Sequence, residues 1–206
     1  MSDWFAVLEQ PRRPWLEAEA LKQRYLQLSA RFHPDRFHSA ASEDKTAAAR
    51  RYAEINTAYQ CLSDTRDRVR HLLELERGAP MKDIQRLPAG TFDLFTKIGQ
   101  ACRETDAFLA ARPSASSPML KVQLLRQTME WTERLAELQR EINQRREVVE
   151  DRLRAMNAAW ESAPPVGDPG RPGALPLDAL EDLCRSLSYV NRWAEQIQER
   201  LVQLAV

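Results

Sequence analysis

The chain has 206 residues, of which 43% are hydrophobic and 29% are charged, a balance typical of a globular protein with a buried core. Lysine and arginine number 30, as do aspartate and glutamate, which argues against a general polyanion binder such as a DNA-coating protein. The longest apolar runs are too short to span a bilayer, so we expect neither nucleic acid nor a membrane among the partners.

The cysteines and the N-terminus bear on the cellular compartment. Cys61, Cys102 and Cys184 are scattered and form no CxxC pair, which argues against a disulfide framework and against a zinc site. We therefore expect no metal and no cofactor. The first residues have neither the basic region nor the apolar region of a signal peptide, so we expect a cytoplasmic protein with reduced thiols.

The first strong periodicity predicts a helix over about residues 16–32, after a brief apolar helix near the N-terminus. Its apolar positions recur every three or four residues and share one face: Leu21, Tyr25, Leu28 and Phe32. Arg24, Gln27 and Arg31 fall together beside that face, and Lys22 lies on the other side. The helix thus combines a buried face with a cationic flank.

A rigid turn follows this helix. Pro34 cannot continue the helix and biases His33 toward extended geometry, so His33 and Asp35 are expected in an exposed, stiffened turn. A second helix is predicted from about Ser42 to Leu62, with Ser39 or Ser42 as its N-cap and antiparallel packing on the first. Ser63 is the predicted N-cap of a third helix, which Gly78 ends.

The rest of the chain predicts a second helical domain. Pro80, Pro88 and Gly90 mark 78–90 as a linker between a domain at 1–77 and another at 91–206. Helices are predicted over 91–111, 119–160 and 177–204, with a Pro/Gly-rich loop at 162–176 that is not helical. The narrow apolar seam of the last helix needs a partner helix, which favours a three-helix bundle, with dimerisation as the alternative. The predicted fold is all-α.

Three segments in the first half resemble a J-domain, and more narrowly the HscB type of J-protein. They are Arg24-Tyr25-Leu26-Gln27-Leu28, then Phe32-His33-Pro34-Asp35-Arg36-Phe37, then Ile55-Asn56-Thr57-Ala58-Tyr59-Gln60-Cys61-Leu62-Ser63-Asp64. The opening Asp3-Trp4-Phe5 and the helix Arg70-His71-Leu72-Leu73-Glu74-Leu75 are also similar to that type. In the second half, Leu187-Ser188-Tyr189-Val190-Asn191-Arg192-Trp193 resembles a signature of its last helix.

The resemblance implies a non-enzymatic co-chaperone. A J-domain stimulates the ATPase of a DnaK/HscA-type chaperone, and the HscB type delivers an IscU-type iron–sulfur scaffold protein with its C-terminal three-helix bundle. The residues that would contact the chaperone are Lys22, Arg24, Arg31, His33, Pro34, Asp35 and Arg36. Those that would contact the scaffold are Leu94, Phe95, Ile98 and Tyr189.

The second half departs from the family pattern on its first helix. Several glutamates are usual there, whereas this chain has Gly99, Ala101, Cys102 and Arg103. The long middle helix and the Pro/Gly-rich loop are also unusual. An alternative is therefore a J-domain protein with another client, or a dimeric adaptor. A hydrolase with His33 and Asp35 as a general-base dyad is a third reading, for which neither Ser63 nor Cys61 is arranged by sequence as the nucleophile.

Overall fold

The computed structural model describes residues 2–39, 41–81, 90–111 and 118–205, and every regular element within them is helical. The prediction of an all-α fold is confirmed. The elements are α1 (Trp4–Val7), α2 (Ala18–Phe32), a 3₁₀ turn (Pro34–Phe37), α3 (Ser42–Ser63), α4 (Thr65–Arg77), α5 (Phe92–Ala111), α6 (Pro118–Glu161), α7 (Arg171–Ala174) and α8 (Leu177–Ala205). Within the described ranges, none of these helices is both apolar enough and long enough to cross a membrane.

Helices α2 and α3 form an antiparallel hairpin across the 3₁₀ turn. The Tyr25 ring stacks on the Tyr59 ring at a centroid distance of 4.1 Å, and the Tyr25 hydroxyl donates a hydrogen bond of 3.0 Å to Asn56. Near the turn, His33 contacts Tyr52. Contacting residues therefore have increasing numbers along α2 and decreasing numbers along α3, as expected for antiparallel helices. The predicted hairpin is confirmed.

Two predicted helix caps are wrong. Ala41, which has no capping side chain, precedes α3, and the acidic residues Glu43 and Asp44 occupy its first turn, where the helix dipole favours negative charge. Asp64 rather than Ser63 caps α4, because its carboxylate accepts the Asp67 N–H at 2.8 Å. The Ser63 hydroxyl instead donates to its own helix at the Gln60 carbonyl.

The end of α4 follows the sequence rule. Gly78 has φ +67°, the left-handed conformation that glycine adopts without steric cost, and it terminates the helix as predicted. The predicted linker begins here. Residues 82–89 of that linker lie outside the described residues, so the domain boundary stays a prediction.

The chain groups into two compact units. The first comprises Met1–Asp83 with Glu150–Cys184, and the second comprises Ile84–Val149 with Arg185–Val206. The division falls within α6 and α8, so the last turns of α6 and the first turns of α8 belong with the N-terminal helices. This grouping differs from the two domains expected from sequence, which divide the chain only at the linker.

The Pro/Gly-rich segment includes a short helix, contrary to the prediction. It contains α7, whose Arg171 is buried and donates two hydrogen bonds of 2.9 Å each to the carboxylate of Glu76. Pro172 lies in the first turn of α7, where a helix needs no N–H donor and the fixed φ of proline is suitable. The expectation failed because proline breaks helix interiors and not their first turns.

Three helices share the core of the second unit, which confirms the predicted bundle. The buried cluster draws Ile98, Ala101 and Cys102 from α5. Its members from α6 and α8 are Leu135, Leu138, Ile142, Val190, Trp193, Ile197 and Leu204. Within this unit, the apolar seam of α8 that required a partner is thus covered by α5 and α6. Most of the predicted break at 112–118 lies outside the described residues.

Candidate functional site: an exposed His-Pro-Asp turn

The backbone of the turn has the geometry that Pro34 imposes. His33 is extended, with φ −60° and ψ 131°, and ends α2, while Pro34 starts the 3₁₀ turn. The His33 carbonyl accepts the Arg36 N–H at 3.0 Å, which closes the turn. Because proline fixes its own φ and restricts the preceding residue, this short sequence is sufficient to set the corner between α2 and α3.

The His33 ring is held from two sides. Its Nδ1 accepts the Asp35 N–H at 3.3 Å, and the ring meets Tyr52 in an edge-to-face contact with a centroid distance of 5.4 Å. Nδ1 also lies 3.5 Å from the Asp35 carboxylate, but it cannot accept and donate at once. The backbone N–H of Asp35 can only donate, so Nδ1 is the acceptor and the neutral imidazole carries its proton on Nε2.

The Asp35 carboxylate projects into solvent. Its side chain is 90% exposed, whereas the His33 side chain is 45% exposed. The only other Asp35 contacts within the turn are made by its backbone, which accepts hydrogen bonds from His38. A stiff backbone therefore presents a carboxylate beside an imidazole N–H, an arrangement suited to recognition by another molecule.

The predicted cationic residues differ in how exposed they are to solvent. Lys22, Arg31 and Arg36 are exposed. Arg24 is half-buried, forms an ion pair with Glu9 and donates to Gln27 at 3.1 Å, so part of its charge is already neutralised. Arg31 is therefore the more accessible charge of the predicted flank, and Lys22 is an accessible charge on the other side of α2.

Sequence reasoning missed two residues that support the site. Glu9 has φ +53° just after α1, which brings its carboxylate to Arg24, and no periodic pattern signals that contact. Tyr52 of α3 is half-buried and supports the His33 ring. Its spacing of three residues before Ile55 and seven before Tyr59 is the sequence signal that places it on the inner face of α3.

The predicted scaffold contacts in the second unit differ in accessibility. Phe95 is 46% exposed and Leu94 is half-buried against the core. Tyr189 is half-buried, with its ring 5.7 Å from that of Trp193. Ile98 is only 1% exposed, so in this structure it serves packing and offers no surface for a direct contact.

The nucleophiles considered for a hydrolase have other environments. Burial raises the pKa of the Cys61 thiol to about 11, and its sulfur points at the Asp67 carbonyl 3.7 Å away. A thiol with such a high pKa is a poor nucleophile at neutral pH. The Ser63 hydroxyl is engaged by the Gln60 carbonyl. Each of the two groups thus has a backbone carbonyl as its partner.

Comparison with known proteins adds a family match to this geometry. The family model described as DnaJ domain matches residues 3–71, the stretch that contains the turn and the α2–α3 hairpin. A co-chaperone protein HscB homolog of Vibrio cholerae strain M66-2 is 36% identical over 83 residues, which cover 40% of this chain and 48% of that relative. The homolog of the Classical Ogawa strain is 35% identical over 74 residues, or 36% of this chain and 43% of the relative.

Solved structures extend the likeness to the whole fold. The chaperone HscB from Vibrio cholerae superimposes with a TM-score of 0.57 at 21% identity and covers 98% of this chain and 99% of its own. The human co-chaperone protein HscB gives a TM-score of 0.54 at 18% identity, with 98% and 81% covered. The sequence matches span about half the length of the curated relatives or less, whereas the fold is shared along nearly the full chain.

Proposed function

We propose that this chain, whose residues 3–71 are a J domain, is a co-chaperone of the HscB type. In this proposal it stimulates the ATPase of a DnaK/HscA-type chaperone and delivers an IscU-type iron–sulfur scaffold protein to it in the cytoplasm. The protein performs no chemistry itself. The observation that carries the proposal is the solvent-directed carboxylate of Asp35 on a rigid turn inside the matched J domain.

In the proposed docking, the cationic residues attract the chaperone before contact, and the turn makes the specific contacts afterwards. Lys22 and Arg31 steer α2 toward an acidic surface of the ATPase, since exposed charges at the rim of an interface mainly raise the association rate. Asp35 then pairs with a basic group of the chaperone, and the His33 Nε2–H donates a hydrogen bond. Pro34 keeps both groups in place before binding, which lowers the entropy lost on association.

The scaffold is assigned to the second unit. Phe95 and Leu94 on α5 supply apolar surface, and Tyr189 on α8 supplies an aromatic ring with a hydroxyl, the kind of group enriched at interfaces. Support comes from the position of α5, α6 and α8 in a fold shared with HscB structures. Ile98 is left out because it is buried.

The chaperone half is tested by measuring ATP hydrolysis by a DnaK/HscA-type chaperone with and without the protein. Asp35→Asn removes the charge while keeping the shape, and we expect it to abolish stimulation. Asp44→Asn is the matched control, because Asp44 is also an exposed acid and lies at the start of the neighbouring helix. Stimulation that survives Asp35→Asn would contradict the trigger role.

The client half is tested by the affinity of the full chain for an IscU-type scaffold. We expect Phe95→Ala and Tyr189→Ala to weaken binding by about tenfold each, the effect of losing a well-packed interface aromatic. Val148→Ala is the control, since Val148 is a large apolar residue of α6 that is 47% exposed. If the intact chain does not bind the scaffold, the client is another protein, and only the J-domain half of the proposal stands.

A further inference from the structure

The outer face of α5 carries an exposed stripe that the candidate site only partly includes. Phe92, Phe95, Gly99 and Arg103 follow one another at intervals of three, four and four residues, which places them on one side of the helix. Phe92 is 67% exposed and Phe95 is 46% exposed. We call these four residues the outer stripe of α5.

Gly99 is an unfavourable residue for the interior of a helix, and its surroundings suggest what it contributes. Apart from proline, glycine is the residue that most disfavours a helix. A Cβ at this position would lie 3.4 Å from Nη1 of Arg103. The Arg103 side chain therefore extends toward the N-terminus of α5, and its guanidinium lies over the backbone of Gly99. Gly99 itself is about one helical turn beyond Phe95.

The charge of the outer stripe comes from Arg103. The two acidic residues that follow it on α5 are paired with other cations: Glu104 accepts from Arg134 at 2.6 Å and Asp106 accepts from Arg200 at 2.6 Å. Asp93 lies about 100° around the helix from Phe92. The outer stripe thus combines two exposed aromatic rings with a guanidinium and has no carboxylate among its own residues.

We propose that the outer stripe of α5 binds a client segment in which an apolar side chain stands beside a carboxylate, and that Arg103 selects for that negative charge. The inference rests on the proposed client-delivery function and deepens it by naming the chemistry of the surface recognised. The two phenylalanines anchor the apolar group, since exposed aromatic residues are typical interface anchors. The guanidinium pairs with the carboxylate, a geometry that arginine satisfies with two parallel hydrogen bonds.

The absence of a side chain at Gly99 also has a role in this arrangement. It leaves room for Nη1 of Arg103 over the Gly99 backbone, about one helical turn from Phe95 in sequence. A partner carboxylate can then approach Arg103 while its apolar neighbour contacts Phe92 and Phe95. The outer stripe therefore recognises two features of one segment at a defined spacing.

The test is the affinity of the full chain for an IscU-type scaffold, measured by calorimetry with wild type and variants. We expect Phe92→Ala and Arg103→Glu each to raise Kd by about tenfold or more. Arg103→Lys should lose less than Arg103→Glu, because it keeps the charge but not the planar fork. Arg126→Glu is the control for charge reversal, because Arg126 is an exposed arginine on α6 of the same unit.

A second arm identifies the partner charge. Single Asp→Lys or Glu→Lys substitutions on the scaffold surface should include one that weakens binding to wild type and restores binding to Arg103→Glu. Binding that is indifferent to both Phe92→Ala and Arg103→Glu, or the lack of any compensating scaffold position, overturns this inference and leaves the proposed function intact. A wild-type chain that fails to bind the scaffold overturns the proposed client, and this inference with it.

Discussion

The first unit uses charged residues in two opposite ways, at the His-Pro-Asp turn and at the end of α4. At the turn, the Asp35 side chain is 90% exposed, and the contacts that hold the turn join residues two or three positions apart. At the end of α4, Glu76 and Arg171 have side chains that are 2% and 7% exposed, and they pair across 95 positions of sequence. The turn leaves its carboxylate exposed to solvent, whereas the buried pair satisfies its two charges within the fold.

The buried pair gives the largest predicted effect on stability. Arg171→Met leaves the Glu76 carboxylate buried without its partner, and removing one member of a buried ion pair costs about 3–5 kcal/mol. Urea unfolding followed by circular dichroism measures the change. The double variant with Glu76→Met should recover most of that loss, because two apolar side chains then replace the pair. A loss below about 1 kcal/mol in the single variant would show that the pair is not desolvated as described.

A second long-range contact should have a smaller effect. The Asn157 side chain accepts the Trp15 N–H at 2.9 Å and donates to the Trp15 carbonyl at 3.1 Å, so one amide of α6 satisfies both backbone groups of that residue. Asn157→Ala should cost about 1–3 kcal/mol, because these half-buried groups lose their partner. Asn143→Ala, at an exposed position of the same helix, is the control and should be nearly neutral. Equal unfolding midpoints for the two variants would contradict this assignment.

The three histidines of residues 3–71 extend the comparison to pH, and His71 is the buried one. The His71 ring is buried against Phe5, and its Nε2 accepts the Trp4 N–H at 3.1 Å, which requires the neutral form. Burial lowers the pKa of His71 below its ordinary value of 6.5, against the opposing influence of Asp3 and Glu74.

A lowered pKa means that the unfolded chain takes up the proton first as the pH falls. The contribution of His71 to stability should therefore be complete above its unfolded pKa and be lost as the pH drops from about 6.5 through the folded pKa. His71→Gln should remove this slope from unfolding free energies measured between pH 7.5 and 5, whereas His38→Gln, at an exposed position, should leave it unchanged. If the pH dependence of the unfolding free energy persists in His71→Gln, titratable groups other than His71 cause it.

The same contrast explains which features could be predicted from sequence. The corner at His33 and Pro34, the helix end at Gly78 and the apolar stripes depend on neighbouring residues, so periodicity and proline geometry were sufficient. The contacts of Arg171 with Glu76 and of Asn157 with Trp15 depend on chain segments far apart, and no local pattern signals them. The burial of Ile98 and the exposure of Phe92 depend on how α5 is rotated about its own axis. That rotation is set by packing against two other helices, so the sequence of α5 alone does not determine it.

The smallest predicted effect on stability belongs to the residue with the largest predicted effect on function. Asp35→Asn alters a side chain that is almost fully exposed and that, among the described residues, makes one side-chain contact, a long 3.5 Å approach to His33. Surface substitutions of this kind change the free energy of unfolding by about 0.5 kcal/mol or less. Thermal unfolding of Asp35→Asn and wild type should therefore coincide, while stimulation of the chaperone ATPase is lost. A variant that is clearly destabilised would mean that the carboxylate serves the fold, and the loss of stimulation could then no longer be attributed to a missing contact with the chaperone.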